Sequence, residues 1–247
     1  GESKPNIVGF SRFFHTLGGV MYLKDGPFGK VTRPRDMASL IDPADGKKRI
    51  RLQYPGAPGK GGPAIIKTMI EADGGDLTDV EIVPVNEGFY HTKALKENKA
   101  DAATLIFANF EVPEATAQGV DAGFFHLKYN AVPDFCQLIL IAQPHKLKDP
   151  KEASKLRRLN TALNEASDYL KLNPQEAKEI WFKRFPAKDA AEQAYMSQIL
   201  DLTLLMFPSD CSLTQEYWEN LGKWLHKTEQ ISEIPPYDYW SNELVNM

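Results

Sequence analysis

Cysteine is scarce, with only Cys136 and Cys211 in 247 residues. Two cannot build a disulfide framework, and their separation lacks the close ligand spacing of a zinc site, so both are expected to be structural thiols rather than one bridge. Long apolar runs are missing too. No stretch approaches the ~18 consecutive apolar residues of a membrane helix, and GESKPNIVGF at the start lacks the charged region, apolar core and small-residue cleavage site of a signal peptide. A leader removed ahead of Gly1 is compatible with that. Basic residues are in no surplus: 29 Lys and Arg stand against 33 Asp and Glu, a net charge of −4 without the clustered positive face that nucleic acid requires. Nucleic acid is therefore not an expected partner. Internal repeats and low-complexity tracts are also lacking. With 43% hydrophobic and 25% charged residues, the chain can bury a sizeable core as one large domain or two lobes.

Short strands are expected at 6–10 and 18–24, a short helix between Pro34 and Pro43, and a strand at 48–53. The loop YPGAPGKGGPA follows, with Gly56, Gly59, Gly61 and Gly62 leading into a helix over 63–72, where Pro63 suits the first turn. A glycine-rich turn from strand to helix aims backbone N–H groups at whatever lies in front, which makes it an anion site or simply a flexible turn. It is not a P-loop, because the spacing of Lys60 is wrong and no Ser or Thr follows it, and it does not match the dinucleotide fingerprint. A strand at 80–85, a helix at 91–98 and the buried apolar strand in ADAATLIFANFE complete a βαβαβ series over 48–111. That series predicts a parallel sheet covered on both faces, whose ligands sit at the carboxyl ends of the strands. The loops at 56–62, 86–90 and 109–111 share that rim. A helix at 113–118 and strands at 123–127 and 135–141 follow, then helices from Pro150 to 227, with apolar positions three and four apart. The boundary near Gln143 and Pro144 reads as a crossing between lobes.

Glu111 is the first candidate binding residue, since a carboxylate at a buried strand end can accept two hydrogen bonds from a ligand; alternatively it stabilises the helix that begins there. Asn109, expected two residues back on the same strand face, offers a donor and an acceptor together, or caps a turn. Phe107, Phe89, Tyr90 and Phe10 are candidates for stacking on a flat heterocycle, with core packing the ordinary alternative. His91 and His126 lack a paired nucleophile or metal-ligand spacing and read as surface or satisfied histidines. Trp181, Trp218, Trp224 and Trp240 read as packing residues, and no catalytic or metal-ligating set emerges.

Seven segments in order resemble the NMT1/THI5-like family, which includes bacterial solute-binding proteins for thiamine pyrimidine precursors and the fungal pyrimidine synthase. They are GGVMYLKDG, RPRDMASL, QYPGAPGKGG, NKADAATLIFANFE, VPDFCQLILIA, DPKEASKLRRLNTALNEASDYLKLNPQEA and IPPYDYWSNEL. The resemblance implies a type II periplasmic-binding-protein-like α/β fold, two α/β lobes with a cleft and two crossing strands as hinge. Residues 1–24 and 142–247 would form the first lobe and 25–141 the second, a parallel α/β sheet. The family's first strand and an aromatic-bearing helix would lie upstream of Gly1, so the site legible here is partial.

The resemblance further implies that QYPGAPGKGG, with Gly56, Gly59, Lys60, Gly61 and Gly62, faces a phosphate or other polar group, while Asn109 and Glu111 fix the ring edge. The function implied is a solute-binding protein that takes a small aromatic ligand, phosphorylated or not, and hands it to the membrane subunits of an ABC transporter, with no cofactor. Its place would be the periplasm or cell surface. The alternatives are a cytoplasmic hydroxymethylpyrimidine phosphate synthase, and a homologue or fragment that has become an interaction subunit. Against the synthase, only Phe135 and Cys136 in VPDFC agree with its cysteine cluster, His15 in HTL falls near the hinge, and the lysine for an internal aldimine is not in this sequence.

Overall fold

Short apolar runs bounded by Gly and Pro fill the first part of the chain, apolar positions at helical spacing the later part, and the elements divide accordingly. The computed structural model describes residues 6–235 and 239–245. Strands β1 (Val8–His15) and β2 (Gly18–Leu23) lead to a small hairpin of β3 (Asp25–Gly26) and β4 (Gly29–Lys30), then a 3-10 turn at Pro34–Ser39. β5 (Arg49–Gln53), α1 (Gly61–Ala72), β6 (Glu81–Val85), α2 (His91–Lys96), β7 (Ala102–Phe107), α3 (Glu111–Ala117) and β8 (Ala122–His126) follow in alternation. After β9 (Gln137–Ala142) come α4 (Pro144–Lys148), α5 (Pro150–Leu172), α6 (Pro174–Arg184), α7 (Ala190–Leu204) and α8 (Gln215–Lys227). No helix among the described residues is long and apolar enough to cross a membrane.

Two units divide the chain. One comprises Leu17–Asp134 with Trp224–Ser232; the other takes the residues up to Thr16, Phe135–Lys223 and those from Glu233 onward. The first two of the four crossings thus fall at Thr16–Leu17 and Asp134–Phe135, earlier than the expected boundaries after 24 and 141. Strand β2 accounts for the first difference. Its GGVMYL side is buried throughout, and it lies between β7 and β8 in a five-stranded sheet of order β6-β5-β7-β2-β8.

That sheet is mixed, where an all-parallel one was expected. β5 pairs in parallel with β6 and β7, whereas β2 runs antiparallel to both β7 and β8. A fully buried apolar strand has the same sequence signature in either direction, because the pattern reports burial on both faces and not polarity. Within the sheet, Gly19 is required by close approach: a Cβ there would stand 2.2 Å from Cε1 of Phe124. Gly19→Ala is expected to lower stability by about 3 kcal/mol through overpacking. Urea unfolding checks this, and a loss below about 1 kcal/mol would mean that both the Phe124 ring and the Phe125 carbonyl, which a Cβ would meet at 2.4 Å, give way.

The core of this unit gathers Met21, Leu95, Ala103 and Ile106, with Val85, Val120 and Phe124 at its margin, and α1 turns Ile65, Ile66, Met69 and Ile70 inward. At the opposite end of the strands from their carboxyl termini, Asp101 just ahead of β7 accepts from the Arg51 backbone N–H at 2.8 Å, from Nε at 3.1 Å and from Nη2 at 2.6 Å. The guanidinium lies over the Phe28 ring, 4.1 Å from its centroid.

In the other unit, β1 and β9 form an antiparallel pair along the length of both strands, so β1 extends to His15 beyond the expected end at 10. Its buried face joins a core of Phe10, Ala153 and Leu244, and Ser11 donates to Asn160 at 2.6 Å. α5 starts on Pro150 and is capped by Asp149, whose carboxylate accepts from the N–H groups of Lys151 and Glu152. Cys136 and Cys211 are not joined in a disulfide. Part of the C-terminal segment at 234–244 lies outside the described residues.

Candidate ligand-binding site

In the larger unit, β6, β5, β7 and β8 all run the same way and end on one edge of the sheet, where β2 begins. The loops after β5, β6 and β7 that the sequence placed on one rim meet there. The end of β8, which the sequence did not include, joins them.

After β5 the glycine loop is held from below by Tyr54, whose ring is 2% exposed. The Tyr54 hydroxyl donates to the Gly59 carbonyl at 3.0 Å and accepts from the Gly59 N–H at 3.2 Å. Gly62 lies flat on the same ring, since a Cβ would come 2.7 Å from it. α1 begins at Gly61 with Lys60 as its N-cap, and Lys60 makes no capping side-chain bond, so the N–H groups of the first turn are not covered by their own cap. Gly56 and Gly59 are exposed. The Lys60 ammonium donates to the Glu229 carbonyl at 3.0 Å.

After β6, Asn86, Phe89 and Tyr90 form the second loop. Phe89 is 81% exposed and Tyr90 70%, so neither ring is spent on the core. The loop is fastened through Gln53, fully buried at the end of β5, which accepts from Glu87 N–H and donates to the Gly88 carbonyl, both at 2.8 Å.

The β7 end differs from its expected form. The strand stops at Phe107, the Phe110 N–H closes a turn on the Phe107 carbonyl at 3.0 Å, and Glu111 opens α3. Asn109 and Glu111 therefore do not share a strand face: the first lies in the turn, 2% exposed, and the second on the helix. Glu111 reaches back instead, and its Oε2 accepts from Phe107 N–H at 2.8 Å. Burial pushes its carboxyl up to about 7, with the Phe107 N–H pulling the other way and Glu114 adding to the rise. Near neutral pH such a group is half protonated and can donate as well as accept.

Phe107, half-buried, is at this end of β7 as expected. Phe10 is not on the rim, because its ring is 2% exposed and packs with Ala153 and Leu244 in the other unit. His91, expected on the surface or satisfied, is neither: it is 1% exposed, its two ring nitrogens have no hydrogen-bond partner among the described residues, and burial lowers its pKa to about 4. His126, at the end of β8, stands edge-on to Phe124 and Tyr129, and burial followed by the nearby Lys128 lowers its pKa. Trp224 is a packing residue, its Nε1 donating to Thr68 at 3.1 Å. Among the described residues no group of three or more His, Cys, Asp or Glu could hold a metal ion.

Comparison with known proteins agrees with this architecture. The family profile described as NMT1/THI5 like matches residues 4–177. A formylaminopyrimidine-binding protein of Halalkalibacterium halodurans is 26% identical over 222 residues, 88% of this chain and 62% of that protein. A putative thiamine biosynthesis protein of Haemophilus influenzae is 31% identical over 113 residues, covering 46% of this chain and 34% of its own length. The chain thus spans less than two thirds of either relative. The periplasmic aliphatic sulphonate binding protein SsuA of Escherichia coli superimposes with a TM-score of 0.63 at 9% identity, over 93% of this chain and 67% of that one. The ligand-binding component of an ABC-type import system from Staphylococcus aureus gives 0.64 at 10% identity, over 97% and 73%. The fold is that of these solute-binding proteins.

Proposed function

We propose that the chain, which belongs to the NMT1/THI5-like family, is a solute-binding protein for a thiamine pyrimidine precursor and delivers it to the membrane subunits of an ABC transporter. The observation that carries the reading is geometric: the half-buried Glu111 carboxyl at the β7 end lies on the same rim as two rings left exposed to solvent, and burial raises its pKa toward the protonated form. A protonated carboxyl presents a donor and an acceptor side by side, which matches the ring nitrogen and exocyclic amine of an aminopyrimidine. Asn109, buried in the adjoining turn, would support this end of the rim rather than touch the ligand. Phe89 and Tyr90 supply flat apolar surface for the ring, and the N–H groups at the start of α1 supply a place for a polar or anionic substituent. Such a protein would work outside the cytoplasmic membrane.

Calorimetric titration with formylaminopyrimidine tests the proposal. Binding is expected in the wild type, and Glu111→Ala should weaken it by about 1.5–3 kcal/mol, the range for a hydrogen bond to a chargeable group. No heat of binding from the wild type would sink the proposal, and undiminished binding by the variant would remove Glu111 from it. Tyr90→Ala should cost about 0.5–1.5 kcal/mol of affinity if the ring stacks on the ligand, with little change in Tm because the side chain is 70% exposed.

A further inference from the structure

The end of β5 holds two loops with two consecutive side chains. Gln53 is the last residue of β5 and Tyr54 the first beyond it, and their side chains bond to different loops. Tyr54 is bonded to the glycine loop through both polar atoms of Gly59. Gln53 is bonded to the other loop through the N–H of Glu87 and the carbonyl of Gly88. Both side chains are buried, at 2% and 0% exposure, and so cannot touch a ligand on the rim. The two loops are also tied to each other. Asn86 donates to the Ala57 carbonyl at 3.0 Å and accepts from the Gly88 N–H at 3.1 Å.

From this geometry we propose that Gln53 is a positioning residue of the binding site, which with Asn86 fixes the loop carrying Phe89 and Tyr90 before any ligand arrives. The inference rests on the proposed function for its ligand, but not for its mechanics. A short loop with two exposed rings at its tip has no core of its own to order it. Phe89 and Tyr90 bury little, Gly88 adopts φ +63, and α2 beyond them is only 6 residues long. The amide of Gln53 supplies what the rings do not, since an amide alone among uncharged side chains offers one acceptor and a donor group at the spacing of a backbone N–H and carbonyl one residue apart. Leaving a loop to be ordered on binding lowers affinity, because the entropy lost is charged to the binding step.

Amide hydrogen exchange and titration with formylaminopyrimidine, run on Gln53→Met and Asn86→Ala, test the inference. Gln53→Met keeps the size of the side chain and removes both loop bonds. Asn86→Ala acts from the exposed side and so spares the core if Gln53→Met folds poorly. Both are expected to accelerate exchange at Glu87 to Tyr90 while β5 and β7 stay protected, and to weaken binding by about tenfold, with a larger entropic penalty. Exchange at the loop that does not change in either variant overturns the inference, as does faster exchange with an unchanged Kd. If the wild type itself ignores the probe, the functional proposal fails and exchange alone decides: acceleration confined to the loop upholds the positioning role, and none overturns it.

Discussion

Asp101→Ala is expected to destabilise the protein by about 3–5 kcal/mol, the cost of breaking a buried ion pair by removing one partner. Asp101 has 5% of its side chain exposed and Arg51 20%, and three of the Arg51 donors point at the lost carboxylate. The guanidinium has another acceptor, the Asn98 carbonyl, and the face of Phe28, but neither carries a full negative charge. It would be left half-buried and uncompensated, with a backbone N–H of β5 unpaired as well. Urea unfolding of wild type and variant gives the difference. A loss under about 1 kcal/mol would mean the site admits enough water to solvate Arg51. Asp101→Asn, which keeps an oxygen for the backbone N–H, should fall between the two. Because the pair joins β5 to β7, destabilisation should reach the whole sheet rather than one loop.

Glu111 should make stability depend on pH in a direction opposite to most carboxylates. Burial raises its pKa from the ordinary 4.5 to about 7, so the folded chain holds this proton more tightly than the unfolded one. The group therefore favours the folded state fully below pH 4.5, and that contribution is lost as pH rises toward 7. Above 7 the ionised carboxylate costs up to roughly 3 kcal/mol relative to the protonated one. Glu111→Gln keeps an oxygen for the Phe107 N–H and cannot ionise. Relative to wild type it should be more stable by about 2–3 kcal/mol at pH 8 and indistinguishable at pH 4, as unfolding curves at several pH values would show. Equal slopes in the two proteins would mean the carboxyl is better solvated than its burial suggests.

The repeating elements and the rim loops were legible in the sequence because their signals are local. Apolar runs of five or six, helices with apolar residues three and four apart, and clusters of glycine and proline mark β5 through α3 one piece at a time. What escaped depends on partners far along the chain. The direction of β2 is set by β7 and β8, more than 70 residues later, and nothing within GGVMYL encodes it. Phe10 and Phe89 are equivalent in sequence, yet one packs on Ala153 and Leu244 while the other meets His91 only edge-on and stays 81% exposed. Glu111 was identified as a residue but not in its setting, since the turn at 108–110 moves it from the strand to the helix. Gln53 gave no signal at all. A glutamine closing a strand looks like solvent-facing polarity until the loop that it holds is seen.

The segment Trp224–Ser232 packs with residues made long before it: Trp224 bonds to Thr68 and the Glu229 carbonyl receives Lys60. During synthesis the larger unit therefore emerges nearly whole by Asp134 but lacks its last piece until Ser232 has been added. At cellular elongation rates that interval is on the order of 5–20 s. For that time Thr68 on α1 and Lys60 in the glycine loop lack these partners on the nascent chain. The rim that is proposed to take a ligand thus gains its last supporting segment only after residues 135–232 have been made.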